Sequence, residues 1–338
     1  MLNADALIPH RVVEIIDRTF RIYRDNFITF VGLAAVVLVP LTLFNNGATS
    51  TAQNDLSIGG GFGTTQSLSP EEINQVLIGL LITIIGAIIQ GVILNGPITS
   101  IASENYLGRR QSIGEAFAAM QSRFVPLGLG LFLFGLVIGI LAFICFLGAA
   151  LIVCPILGIP VVFYLAIAGF FYIVPILTLE NVGASFGISR ALALGKARFW
   201  PSFGLVAGIT LIVFIITAAI GALAGVLLGV SGSVFSASST PILLLNLVLT
   251  IFAAPIQPIA LTLMYYDTRV RVEGLDIAME SVTRPNPTPA DVASPPSTGP
   301  LLKGQDFVNI LILIGLFILF SIAAYVLILA FLGASFIG

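Results

Sequence analysis

The sequence predicts an all-α polytopic membrane protein with seven transmembrane helices, and three observations predict it. First, 58% of the residues are hydrophobic and 9% charged, with mean hydropathy +1.10; a soluble domain carries roughly 25% charged residues. Second, the apolar residues gather in runs of the length a bilayer demands, about 20 residues per crossing. Third, all fourteen Lys and Arg fall in four segments: the N-terminus (Arg11, Arg18, Arg21, Arg24), 104–125 (Arg109, Arg110, Arg123), 180–200 (Arg190, Lys196, Arg198) and 267–305 (Arg269, Arg271, Arg284, Lys303). The alternating segments 45–72, 154–160 and 231–240 and the C-terminus hold none. The positive-inside rule places the four basic segments in the cytoplasm, with the N-terminus inside and the C-terminus outside.

The elements follow in order. Val12, Ile16, Tyr23 and Phe27 form an apolar stripe at helical spacing, and Glu14–Arg18 and Asp17–Arg21 are i,i+4 pairs. This predicts an amphipathic helix lying in the cytoplasmic interface. No cleaved signal is expected ahead of it, so the first span should be an uncleaved anchor. The predicted spans are 27–44, 73–103, 126–153, 161–179, 201–230, 241–266 and 307–336. CPILGIP, Cys154 to Pro160, is the expected break between the third and fourth, because it brings two prolines and a glycine into 55 uncharged residues. Cys145 and Cys154 would lie about 13 Å apart on one helix, too far for a disulfide, and are expected to pack as small residues.

Three cytoplasmic stretches align without gaps: DRTFRIYRDNFITFVGL (17–33), GEAFAAMQSRFVPLGLG (114–130) and SRALALGKARFWPSFGL (189–205). Each reads as a short amphipathic segment, a Phe (Phe27, Phe124, Phe199) and the start of a span. The returning spans carry GPITSIASEN, VPILTLEN and QPIALTLMYYD, with Pro97, Pro175 and Pro258 each followed by Ile. The first six spans therefore read as three parallel helix-hairpin repeats, each preceded by an interfacial helix. Residues 1–281 form this six-span domain. Residues 282–305 are expected to be a disordered cytoplasmic linker, since Thr283–Pro300 holds six prolines among Ser, Thr and Ala. Residues 306–338 are the seventh span, tethered by the linker; it either packs on the bundle or serves a protein partner.

The chain holds one histidine, His10, which excludes a His-cluster metal site, and no catalytic, cofactor-binding or metal-ligating set is visible. A net charge of −2 points to no nucleic-acid partner. Two groups of residues stand out. The first is a cytoplasmic charge collar of Asp267, Arg269, Arg271 and Glu273 with Arg190, Lys196 and Arg198. Asp267–Arg271 and Arg269–Glu273 are spaced as exposed i,i+4 pairs that would stop the sixth span; the sharper reading is a binding surface for anionic headgroups. Tyr265 and Tyr266, just before them, are expected between lipid tails and headgroups. The second group is Gln90, Asn95 and Gln257, with Asn246, at membrane depth. The ordinary reading is a hydrogen bond across helices for each; a polar cavity is the alternative. Thr217, Gly221, Gly225 and Gly229 on the fifth span, and Gly135 and Gly139 on the third, are spaced for close helix packing.

YYDTRVRVEGLD (265–276) resembles the closing signature of the bacterial glycerophosphoryl diester phosphodiesterase membrane domain family. IIDRTFRIYRDNF (15–27) resembles its opening and SRALALGKARFW (189–200) its middle motif. The resemblance covers residues 7 to 281. It implies the fold and a bacterial cytoplasmic membrane. It implies no activity, because the catalytic barrel joined to this region in some relatives, with its two histidines, has no counterpart here.

Two readings of function remain. One is a non-catalytic membrane scaffold or accessory protein that engages lipids or a protein partner at the cytoplasmic face. The other is a transporter, channel or lipid-translocating protein; the spans contain no Asp, Glu, Lys, Arg or His, which argues against proton coupling.

Overall fold

The computed structural model describes residues 7–55, 70–147, 153–227, 240–295 and 303–335. The described residues form helices and no strand. Six helical stretches are long and apolar enough to cross a membrane: Ile84–Tyr106, Phe124–Leu141, Leu157–Leu179, Phe199–Ala224, Leu244–Glu273 and Gly304–Ala323. A seventh is added if the bent pair Val12–Asp25 and Phe27–Leu43 counts as one span. The protein is thus a multi-pass helical membrane protein.

Helix α1 (Val12–Asp25) begins where the Glu14 carboxylate accepts from the Arg11 amide at 2.9 Å. It ends at Asn26, where the chain bends by 82° into α2 (Phe27–Asp55). The Ile22 carbonyl accepts both the Asn26 backbone N–H, at 3.2 Å, and the Asn26 side-chain amide, at 3.1 Å, which caps the end of the helix. The expected stripe of α1 is only half-buried, and Phe27 is exposed; Ile15 and Thr19 enter the core instead. Asp17 and Arg21 pair at 3.2 Å on the outer face.

The second span returns as α3 (Pro70–Ile89), a π-helical turn (Gln90–Asn95) and α4 (Gly96–Tyr106). Next come α5 (Ile113–Met120), capped by Ser112 and Glu115, and α6 (Phe124–Leu147). The fourth span is α7 (Val153–Leu165), a second π-helical turn (Ala166–Phe170) and α8 (Phe171–Leu179). CPILGIP is therefore not the break: α7 runs through it. Pro155 sits in the first turn, where a missing N–H costs nothing, and Pro160 is carried inside the helix. After α9 (Ala184–Ala197), Arg198 takes φ −128° and ψ 37°, close to the −124° and 28° of Asn26, and α10 (Phe199–Leu227) sets off. The next return breaks at Ala254–Pro255 between α11 (Thr240–Ala253) and α12 (Ile256–Glu273). Gly274, in the left-handed conformation at φ 63°, closes α12 and leads into α13 (Leu275–Glu280). The last helix is α14 (Gly304–Ser335).

The three half-spans α4, α8 and α12 pack on one another and form the centre. Each short helix then packs on the return of the preceding hairpin: α5 on α4, α9 on α8, and α1 on α12, which closes the cycle. The outgoing spans follow the same rule, with α6 on α3, α10 on the second π-helical turn, and α2 on α11. Within hairpins, α2 and α3 pack closely, as do α6 and α7, whereas α10 and α11 are splayed and touch little.

One expectation about the C-terminal part is corrected. Residues 282–295 are ordered against the bundle. Asp291 accepts from the Thr288 amide at 2.9 Å, Pro289 is buried, and the Pro287 carbonyl accepts from Arg109 at 3.4 Å. Proline-rich composition lowers the entropy of an extended chain, and polar groups of the bundle supply partners for its carbonyls. Residues 296–302 of the expected linker lie outside the described residues. Of the two placements open to the last helix, the structure shows the packed one: α14 packs on α7, and Leu313 joins Tyr164, Ile167 and Phe199 in a buried cluster.

Candidate functional site

Two layers are stacked along the central half-spans. One layer is built from the expected collar residues, which are buried or half-buried with the exception of Arg271 and so do not form an exposed collar. Arg269 is 1% exposed, Arg190 2%, Asp267 2% and Glu180 0%. The i,i+4 pairs do form, with Arg269 Nε at 2.8 Å from Glu273 and Arg271 Nε at 3.0 Å from Asp267. Their helix face is turned inward, which i,i+4 spacing does not reveal. Arg190 of α9 donates two bonds to Glu273, at 2.8 and 2.7 Å, and a third to Glu180 at the end of α8. Glu180 also accepts from Tyr265 Oη at 2.8 Å and Ser294 Oγ at 2.6 Å, and lies 3.4 Å from Arg269. The Pro295 carbonyl accepts from Arg190 at 3.0 Å, so the segment before residue 296 straps this cluster. Burial alone would lower the Arg190 pKa; the hydrogen bonds to Glu273 and Glu180 outweigh it and hold the group above its ordinary value.

Asp267 anchors a second cluster. It accepts from the His10 amide at 2.7 Å and from Arg198 at 3.1 Å, while Arg271 also reaches the His10 carbonyl at 2.9 Å. This pins the chain entering α1 onto α12. Lys196 does not join the collar; it pairs with Asp306 of α14 at 3.2 Å. Tyr164 donates to the same carboxylate, and Trp200 Nε1 donates to Asn309 at 3.0 Å. Tyr265 and Tyr266 are fully buried rather than interfacial. Tyr266 Oη lies 2.7 Å from Ser103 Oγ, and Tyr172 Oη lies 2.7 Å from Ser202 Oγ and 3.0 Å from Thr268 Oγ1. These rings and ion pairs fill the charged end of the bundle, where most buried polar groups are paired, as a buried charge requires; His10 Nε2, Thr178 Oγ1 and Arg198 Nε are buried there without a hydrogen-bond partner among the described residues.

Above them lies a cavity of about 790 Å³, within the range of roughly 300–1,000 Å³ typical of small-molecule sites. It opens where α10 and α11 are splayed. Gln90, Asn95 and Gln257 all line it, as does Asn246. The cross-helix bonds expected for these amides do not form among the described residues. Thr217 and Gly221 line the cavity instead of a helix contact, and a side chain added at Gly135 or Gly139 would meet nothing within 4 Å. Phe170, Phe171, Val213, Phe214 and Leu249 supply apolar wall, and no lining residue is ionisable.

Sequence reasoning missed Glu180, the carboxylate that joins both buried arginines. Its signal was its position at the end of a charge-free span, beside Arg190 in the next helix. It also missed Thr99, whose hydroxyl is buried without a hydrogen-bond partner and lines the cavity.

No family model, curated protein or solved structure matches the chain.

Proposed function

We propose that the protein is a non-catalytic membrane protein that takes up an amphipathic, lipid-like molecule between its spans and moves or presents it, the translocator reading. The observation that carries this is the convergence of Gln90, Asn95, Asn246, Gln257 and the unpartnered Thr99 hydroxyl on one apolar-walled cavity. Leaving a buried polar group unpaired costs about 1–3 kcal/mol; Thr99 carries that cost, and a bound polar group that reaches its hydroxyl offsets it. The scaffold reading loses its main supports, since the collar faces inward and the linker segment and α14 are engaged within the chain.

The same reading includes seven spans, α1 being an interfacial helix and α2 the first crossing. It includes a threefold parallel repeat, supported by the cyclic packing of α1, α5 and α9 and by an interruption in each returning span. Membership of the glycerophosphoryl diester phosphodiesterase membrane domain family, and with it a bacterial cytoplasmic membrane, rests on the three motifs. An N-terminus inside and a C-terminus outside rest on the distribution of Lys and Arg.

The test is extraction of the full chain in native lipid patches and mass spectrometry of what is retained, beside the variant Ala218→Trp, which fills the cavity. The expected result is a lipid or small molecule enriched with the wild type and lost from the folded variant. Retained molecules that match the bulk membrane in both would overturn the proposal.

A further inference from the structure

Polar side chains line the cavity from several helices, among them Asn95 of the first π-helical turn, Thr99 of α4, Asn246 of α11 and Gln257 of α12. Thr19, Thr217, Thr250 and Thr262 each donate their hydroxyl to the carbonyl four residues back, at 2.7–2.8 Å. This is the ordinary solution for a threonine inside an apolar helix. Thr99 does not do this: it is 0% exposed, and among the described residues its Oγ1 is the unpaired buried polar atom that lines the cavity.

The π-helical turn explains how Thr99 comes to have company. In an α-helix, positions five apart point about 140° away from each other. A turn closed i→i+5 brings them nearly into line, so Gln90 and Asn95 share the cavity side. Asn95 and Thr99, four apart, share it by ordinary helical spacing. Gln257, at the start of α12, lines the same cavity, and α12 packs on α4, which carries Thr99. Two amides and one hydroxyl thus line the cavity from neighbouring helices, offering both donors and acceptors.

The charges exclude as much as the amides invite. Among the described residues no Lys, Arg, His, Asp or Glu lines the cavity. A phosphate or ammonium head at this depth would be an uncompensated charge. A neutral head with hydroxyls can donate and accept at once, which an ester or alkyl end cannot. The cavity extends along α10, where residues from Ile209 to Ala224 line it, about 22 Å of helix. Phe214 of α10 and Leu249 of α11, with Phe170 of the second π-helical turn, give it apolar wall.

We infer that Asn95, Thr99 and Gln257 form a headgroup subsite for a neutral, hydroxyl-bearing single-chain lipid of the monoacylglycerol type, its chain lying along α10. This rests on the cavity being a binding site. The lipid enters between α10 and α11, head first, and the three side chains receive its hydroxyls.

The experiment uses the full chain in lipid nanodiscs and three photoreactive probes with the same diazirine-bearing acyl chain: a monoacylglycerol, its phosphorylated counterpart and a methyl ester. Peptide mapping reads the labelled helices. The monoacylglycerol should label α10 and α11 peptides about tenfold more than the phosphorylated probe. The double variant Thr99→Val, Gln257→Leu should reduce its labelling about tenfold and leave the methyl ester unchanged. Equal labelling by the phosphorylated probe, or a double variant that labels as the wild type does, overturns the headgroup subsite while the cavity reading stands. No labelling of α10 or α11 by any probe overturns both.

Discussion

Arg190 and Glu273, 83 residues apart in the chain, meet in a two-bond fork at 2.8 and 2.7 Å with Arg190 2% exposed, and so clamp α9 to α12. The same guanidinium holds Glu180 of α8, so one side chain ties three helices. Removing one partner of such a buried pair costs about 3–5 kcal/mol, because the charges left behind are unpaired. Arg190→Ala should therefore lower unfolding stability in detergent by that amount. Arg190→Lys should recover little of it, since a point charge cannot bridge two carboxylates as a planar fork does. A loss below about 0.5 kcal/mol for Arg190→Ala, the level of an exposed pair, would show that the cluster does not hold the helices.

Gly195 permits the contact between α9 and the second π-helical turn. A Cβ there would stand 1.9 Å from the Ala168 carbonyl oxygen, a backbone atom that cannot swing aside. Gly195→Ala should destabilise by about 1–3 kcal/mol, as overpacking does. Gly204→Ala, on α10 with nothing within 4 Å, should instead be neutral or stabilise by up to about 1 kcal/mol through helix propensity. Thermal unfolding of the two variants side by side decides it; equal effects would contradict the packing.

The chain has one tryptophan, and Trp200 reports whether α14 is docked, because its indole N–H donates to Asn309 at 3.0 Å. Asn309→Leu should shift its emission to the blue by removing the polar partner. Asp306→Ala frees Lys196 and Tyr164 and should also change the emission as α14 separates from α7. Unchanged spectra in both variants would mean that the helix is not held by these bonds.

The ordered part of the linker should withstand mild acid. Hydrogen bonds from Thr288, and then Arg284, hold the Asp291 carboxyl below its ordinary value of 3.8. Such a group contributes stability that is present above its unfolded pKa and lost as pH falls through the lower folded one. A spin label at Ala293→Cys should keep the same mobility from pH 8 to about 5 and loosen only below about pH 4. Loosening near pH 6 would point to a different group.

Orientation has its own test. An impermeant thiol reagent added to cells should label Asp55→Cys, on the segment expected outside, and should reach Ala293→Cys only after permeabilisation. The opposite pattern would reverse the assignment from Lys and Arg.

Much of the fold was legible because the bilayer imposes a coarse code. Span length, charge placement and the Phe at each span start all follow from the cost of burying backbone and charge in hydrocarbon. The boundaries near Asn26, Phe124 and Arg198 could be read for that reason, whereas the sixth span, expected to end at Tyr266, continues as α12 to Glu273. The break at CPILGIP could not, since a proline in the first turn of a helix and one between helices look alike in sequence.

By itself the sequence determined that Asp267 and Arg271, or Arg269 and Glu273, pair along α12, and that Gln90, Asn95 and Gln257 lie at membrane depth. Only the tertiary structure decided that the first group faces inward onto Glu180, Arg190 and Arg198, and that the second faces a cavity. Local spacing sets which side chains share a helix face. Which face is covered depends on helices far away in the chain, and lipid tails and neighbouring helices are equally apolar, so the pattern of apolar residues does not distinguish them. The splay of α10 from α11, which opens the cavity, is a property of that packing alone.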